Sequence, residues 1–260
     1  MEFGKKIFLN LSPTSINTFY QSPLLFHLRY ISKVPDDTPV PICYGLSGNI
    51  VHDCLEKYAK GELNRDTVFI HFAQQWAKQG LQEHTDISGI PLDQTQYIMA
   101  LIKGLAVVDE HSSHICEETL SFPFTESNEI KIGVKGIVDL QAIHKPTSKN
   151  VIIDYKTSNS VNQGKEFERQ AMFYNYLIRR KGKPIPHQTI FHYLKLGADK
   201  VYSFSNEDID SFEDELTSVT RKILNYGTDI ANYPAGEIDD LFNSKKKACI
   251  REIMRRKEIG

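Results

Sequence analysis

The sequence predicts an α/β domain, a mixed central β-sheet flanked by helices with a helical elaboration on its N-terminal side. Three observations predict it. Apolar residues recur at helical spacing through the first ~110 residues. The pattern then switches to period two from Ile115 to Tyr155, interrupted only by turn-forming segments. One helical segment follows, then two further strand-like runs, an order that places helices on both faces of one sheet.

Ser12-Pro13 starts the first helix with a serine N-cap and a proline in its first turn. Ile16, Phe19 and Tyr20 form its apolar stripe, which Phe26 to Tyr30 continue beyond Pro23. Pro35 to Pro41 reads as a loop. A second helix is expected over Leu46–Lys60, stopped by Gly61. A third, capped by Asp66, runs to Lys78, and Pro91 opens a fourth in which Tyr97, Leu101, Leu105 and Val108 share a face. Strands are expected over Ile115–Thr125, Glu129–Val134, Gly136–Ile143 and Val151–Tyr155, with turns at Ser127-Asn128 and His144–Asn150. A helix over Lys165–Arg180 ends before Gly182 and Pro184. Strands Thr189–Leu196 and Lys200–Phe204 meet at a turn around Gly197, and a long helix from Asn206 or Asp208 reaches Tyr226. One domain results, with a helical part over 1–112, a core over 113–205, and C-terminal helices with a basic tail over 206–260.

The 260 residues are 40% hydrophobic and 25% charged, enough apolar mass for one large core. A net charge of −2 gives no global basic field, but the distribution is uneven. Lys245, Lys246, Lys247, Arg251, Arg255, Arg256 and Lys257 crowd the C-terminus with only Glu252 and Glu258 among them. The remainder carries 24 basic and 31 acidic residues, a net −7 (31 less 7 basic, 33 less 2 acidic). Such a tail is either a nucleic-acid contact or a solvated terminal helix. Cys43, Cys54, Cys116 and Cys249 form no CxxC pair, which excludes a disulfide framework and a zinc knuckle. No signal-peptide pattern and no apolar run near ~20 residues is found, so the expectation is a cytoplasmic or other reducing compartment with no membrane partner.

Asp154-Tyr155-Lys156 follows Val151-Ile152-Ile153, a run apolar enough for a buried central strand. Alternate residues of a strand share a face, so Asp154 and Lys156 point the same way. A carboxylate and a lysine at the end of a buried strand need partners. Asp139 supplies one, because the His144–Asn150 turn returns its strand beside Val151–Tyr155. Two oxygen ligands on adjacent strands suit Mg²⁺, which keeps waters that a substrate phosphate can displace. A metal there activates water and neutralises phosphate charge, and Lys156 can orient the water or stabilise that charge. A structural Asp–Lys ion pair at a sheet edge is the other reading. Gln170 and Tyr174 lie one helical turn apart and face one way, either as a ligand-contacting pair or as a half-buried tyrosine with a polar neighbour. His52, in Gly48-Asn49-Ile50-Val51-His52, is either a ligand or a packed histidine bonded to Glu56.

Taken in order, Gly48 and His52, Gly136 and Asp139, Asp154 and Lys156, and Gln170 and Tyr174 resemble the motif series of the PD-(D/E)xK nuclease superfamily. The likeness is to its RecB-like branch in particular, over roughly residues 12–205. That branch includes helicase-linked RecB and AddB nuclease domains and CRISPR-adaptation exonucleases. The resemblance implies a restriction-endonuclease-like fold and a metal-dependent DNA nuclease, an exonuclease or end-processing enzyme in repair or recombination. Its partners would be single-stranded DNA or duplex ends, with a helicase or recombination protein alongside. The other class of function is a catalytically weak or inactive nucleic-acid-binding or assembly protein on the same fold, against which the intact Asp139, Asp154 and Lys156 speak.

By the same resemblance His52, Asp139, Asp154 and the backbone carbonyl of Tyr155 would ligate Mg²⁺ or Mn²⁺, Lys156 would be catalytic, and Gln170 and Tyr174 would line the DNA path. Glu118 sits where the branch often has an acid. Many relatives hold an iron–sulfur cluster through an N-terminal Cys-Pro pair and three C-terminal cysteines. Here the pair is Ser22-Pro23 and Cys249 stands alone near the C-terminus, so no cluster is expected. The basic tail is expected to clamp DNA by charge instead.

Overall fold

Strand formation follows the period-two segments closely, and the computed structural model describes residues 6–40, 42–86, 89–161, 164–238 and 243–259. Six strands, β1 (Ile7–Leu11), β2 (His111–Glu126), β3 (Ile130–His144), β4 (Lys149–Lys156), β5 (Gln188–Tyr193) and β6 (Ala198–Tyr202), make one mixed sheet. Its order is β1-β3-β4-β5-β6, with β2 also paired to β3. β3 and β4 are antiparallel, as the intervening turn requires, whereas β4 and β5 are parallel. A parallel pair needs a crossover, and α6 (Lys165–Arg180) supplies it at the bounds the sequence predicts.

The other helices are α1 (Pro13–Gln21), α2 (Pro23–Phe26) with a π-helical turn over His27–Ile31, α3 (Cys43–Ala59), α4 (Val68–Lys78), α5 (Gln94–Asp109), α7 (Asn206–Tyr226) and α8 (Lys246–Ile259). α1 begins as read. The Ser12 hydroxyl accepts from the Ser15 N–H at 3.3 Å and the Ser15 hydroxyl accepts from the Ser12 N–H at 2.7 Å. α5 starts at Gln94 behind an Asp93 cap rather than at Pro91. Glu129–Val134 and Gly136–Ile143 are one strand, because Gly136 keeps extended geometry instead of turning. β1 is absent from the sequence reading. It is five residues long and pairs in parallel with Ile130–Val134, far along the chain.

The chain divides into two compact units, one of residues 1–40, 121–136 and 206–260 and the other of residues 41–120 and 137–205, with β2 and β3 running through both. In the second unit α3, α4 and α5 bury Val51, Leu55, Phe72, Trp76, Leu101 and Leu105 against Val151, Ile153 and Tyr155 of β4. α3 and α5 meet closely at Gly104, where a Cβ would lie 2.6 Å from Leu55 Cδ1. In the first unit Leu24, Leu25 and Leu28 pack with Ala248 and Cys249. Among the described residues no helix is long and apolar enough to cross a membrane.

Four residues of the basic C-terminal run make ion pairs or hydrogen bonds within their own unit. Lys245 is buried and its ammonium donates to the Val34 carbonyl and, at 2.7 Å, to Asp36. Arg251 pairs with Asp37 at 3.1 Å and Arg255 with Glu252 at 2.8 Å. Arg256 reaches Glu252 and donates to the carbonyls of Tyr233 at 2.7 Å and Ile230 at 2.6 Å. The acids Asp36 and Asp37 lie ~200 residues away in sequence, so spacing alone could not reveal them. Arg256→Ala should therefore lower stability by about 1.5–3 kcal/mol, the usual cost of hydrogen bonds to a charged group. Urea denaturation with an unchanged midpoint would show the helix to be merely solvated.

Candidate active site

Five elements contribute residues of the second unit to the candidate site. α3 carries His52. Its Gly48, one turn earlier, stands where a Cβ would come 2.8 Å from Thr157 Oγ1, so the bare glycine lets α3 approach the end of β4. β3 brings Asp139, β4 brings Asp154 and Lys156, and α6 brings Gln170 and Tyr174. β2 adds Glu117.

His52 Nδ1 lies 3.3 Å from Asp139 Oδ2, and the same oxygen accepts from the Tyr155 N–H at 2.9 Å. His52 is also hydrogen-bonded to the Tyr155 backbone. His52, Glu117 and Asp139 each offer a ligand atom within 4.8 Å of the other two. Asp154 stands outside that group and is braced by α6. Its Oδ1 accepts from Tyr174 O–H and from Gln170 Nε2, both at 3.1 Å. Its Oδ2 lies 2.6 Å from Lys156 Nζ, an ion pair without hydrogen-bonding geometry, and so is a buried oxygen with no hydrogen-bond partner. Lys156 donates to Gln170 Oε1 at 3.2 Å, and its Nζ sits 4.9 Å from the ring centres of both Phe167 and Phe191. The Gln170 amide is thereby oriented, oxygen to the cation and nitrogen to the acid.

The electrostatics follow from burial. Asp154 is 3% exposed. Burial, then repulsion from Asp154, holds the Asp139 carboxyl well above the usual range. Burial, then Asp139 and Glu56, pushes Glu117 up to about 7. Burial lowers the His52 imidazole, leaving a neutral ring with a lone pair to give. A neutral imidazole, crowded carboxylates and an orphaned carboxylate oxygen form a donor set that fits Mg²⁺ or Mn²⁺.

The sequence-predicted residues divide into two clusters. His52 and Asp139 come together with the Tyr155 backbone, and Asp154, Lys156, Gln170 and Tyr174 come together beside them. Glu118 does not join them. It accepts from Gln141 Nε2 at 2.6 Å and from Lys181. Its neighbour Glu117 takes the place, with φ at +50° inside a strand, a left-handed conformation that costs a glutamate energy. Adjacent strand residues face opposite ways, so choosing between two consecutive glutamates needs a register that sequence does not supply. Tyr174 differs too. It is buried with its hydroxyl committed to Asp154, so it supports the acid rather than lining a path. Phe167 and Phe191 carried no signal beyond being apolar.

A family model of the PD-(D/E)XK nuclease superfamily matches residues 10–240, and the chain belongs to that superfamily. Two solved structures are similar. One, a candidate exonuclease from Eubacterium rectale, is 11% identical with a TM-score of 0.45, covering 82% of this chain and 80% of its own. The other, SSO0001, is 14% identical with a TM-score of 0.34, covering 79% and 85%. No curated protein matches.

Glu117 gives a measurable signature. Its carboxyl keeps its proton up to about 7 in the folded, metal-free protein, against 4.5 ordinarily. The folded state thus binds the extra proton, and the stability so gained is full below 4.5 and lost as pH rises through about 7. Wild type should lose melting temperature relative to Glu117→Gln across that window in EDTA, and added Mn²⁺ should restore it by mass action in wild type. Parallel profiles for the two proteins would show that Glu117 is not held in the cluster.

Proposed function

We propose that this chain is a divalent-metal-dependent nuclease that hydrolyses phosphodiester bonds of DNA, acting at ends or as an exonuclease. The observation that carries the reading is the half-buried Asp139 beside the buried Asp154 on adjacent strands, with Lys156 Nζ 2.6 Å from Asp154 Oδ2. Membership of the nuclease superfamily supports the hydrolytic chemistry. The order of motifs from Gly48 to Tyr174, like that of the RecB-like branch, supports DNA and end-processing.

In this reading His52, Glu117 and Asp139 hold the cation, and Asp154 adds its charge next to them. The bound metal would activate water and offset charge on the reacting phosphate. Lys156 places an ammonium at the edge of the acids, where it can donate to a phosphate oxygen as negative charge accumulates. Gln170 keeps that ammonium aimed, and Phe167 and Phe191 flank it. Tyr174 fixes Asp154. The Tyr155 N–H fixes Asp139, so neither acid needs to reorganise when substrate arrives.

With Mg²⁺ or Mn²⁺, 5′- and 3′-labelled DNA, single-stranded and duplex, should be degraded from an end, and EDTA should stop it. Asp139→Ala, Asp154→Ala and Lys156→Ala should each lose at least about 10²-fold in turnover, the usual cost of one electrostatic group, while remaining folded by circular dichroism. Near-wild-type turnover in a folded Asp154→Ala protein would contradict the site. Tight binding of DNA that is never cut, with any metal, would make the chain a binding or assembly protein instead.

A further inference from the structure

The first unit carries a second feature suited to nucleic acid. β1 is an edge strand, and beside it the chain following α2 forms a groove of about 220 Å³. Phe8, Asn10, Arg29, Tyr30 and Lys33 are among its lining residues, and among the described residues no acid lines it. Phe8 is 55% exposed, unusual for a phenylalanine in a strand. The ring leans over Gly133, where a Cβ would lie 3.7 Å from Phe8 Cζ. Tyr30 is half-buried, its ring 5.1 Å from that of the buried Phe26.

Lysines lie on the Phe8 side of the sheet. Lys131 is the cross-strand partner of Phe8 in the β1–β3 register, and Lys135 falls on the same face two alternations further on. Both are exposed, as is Lys33. None of the three lysines pairs with an acid among the described residues. An exposed ring and a half-buried one with lysines on the same side are what unpaired bases and their phosphates require. The rings offer a π-face to any base and the cations follow the backbone. A peptide adding to the edge strand would use the β1 backbone and needs neither the rings nor the charge.

We propose that the groove between β1 and the Arg29–Lys33 segment binds single-stranded nucleic acid, stacking an unpaired base on Phe8 or Tyr30 while Lys33, Lys131 and Lys135 hold the phosphates. The choice of ligand rests on the nuclease reading. The groove itself lies outside the catalytic cluster and can be tested apart from it.

Binding of fluorescein-labelled oligothymidylate is measured in EDTA, where no cleavage occurs, with an equal length of duplex as comparison. Phe8→Ala should weaken single-strand binding about tenfold, in the range for loss of one stacked base, and Phe8→Trp should restore it. Lys33→Gln with Lys131→Gln should reduce the slope of log affinity against log salt by about 0.7 for each phosphate no longer neutralised. Hydrolysis of bis(p-nitrophenyl) phosphate with Mn²⁺, which needs only the catalytic cluster, should be unchanged in all of these variants. As a direct measure, 5-iododeoxyuridine in the strand should photocrosslink to Phe8 or Tyr30. Unchanged affinity in Phe8→Ala with crosslinks elsewhere would overturn the proposal and leave the nuclease reading standing. Failure of the wild type to bind the single strand would overturn it too. Loss of phosphodiester hydrolysis by wild type would strike the nuclease reading alone.

Discussion

Two carboxylates side by side in a sheet interior are the constraint on which the rest of the site depends. Asp154 on β4 is buried, Asp139 on β3 is half-buried, and the charge of Asp154 raises the proton affinity of Asp139. Burying a charge is costly unless it is paired and hydrogen-bonded. The surrounding residues meet that cost in a particular way. The Tyr155 N–H serves Asp139, Tyr174 and Gln170 serve one oxygen of Asp154, and Lys156 faces the other. The charge that remains uncompensated lies toward His52 and Glu117, where a neutral imidazole and a proton-holding carboxyl can give way to a cation. Arrangements this strained persist because the flanking packing over-determines them.

That packing explains the glycines and the helix order. Gly48 lets α3 close on Thr157, so His52 reaches Asp139. Gly104 lets α5 close on Leu55 of α3, which fixes the helix that carries His52. The crossover helix α6 lies where parallel pairing of β4 and β5 demands it, and its face turns Gln170 and Tyr174 to Asp154. Core and site therefore form together. The core-facing side of β4, Val151, Ile153 and Tyr155, anchors the strand, and its alternate residues Asp154 and Lys156 meet Gln170 of α6.

What could be read from the sequence was local. α6 is bounded by turn residues and carries a strong amphipathic pattern, so its limits were legible. The alternation around Asp154 and the turn after β3 placed Asp139, Asp154 and Lys156 together. What could not be read depended on distant pairing. β1 is too short to stand out, and its partner lies over a hundred residues away. Glu117 and Glu118 are indistinguishable without the register of β2. The basic run looked free because Asp36 and Asp37, which engage Lys245 and Arg251, belong to the other end of the chain. Charge patterning along the sequence counts ions but does not find their partners.

A cation held by His52, Glu117 and Asp139 would couple binding to proton release, since a carboxyl must shed its proton to ligate. Calorimetric titration of the metal-free protein with Mn²⁺, repeated in buffers of different ionisation enthalpy, measures both at once. A saturable site that releases protons near neutral pH, and that is lost in Asp139→Asn and in His52→Ala, is the predicted result. Equal Mn²⁺ affinity in wild type and Asp139→Asn, with no proton release, would contradict a metal centre built on His52, Glu117 and Asp139.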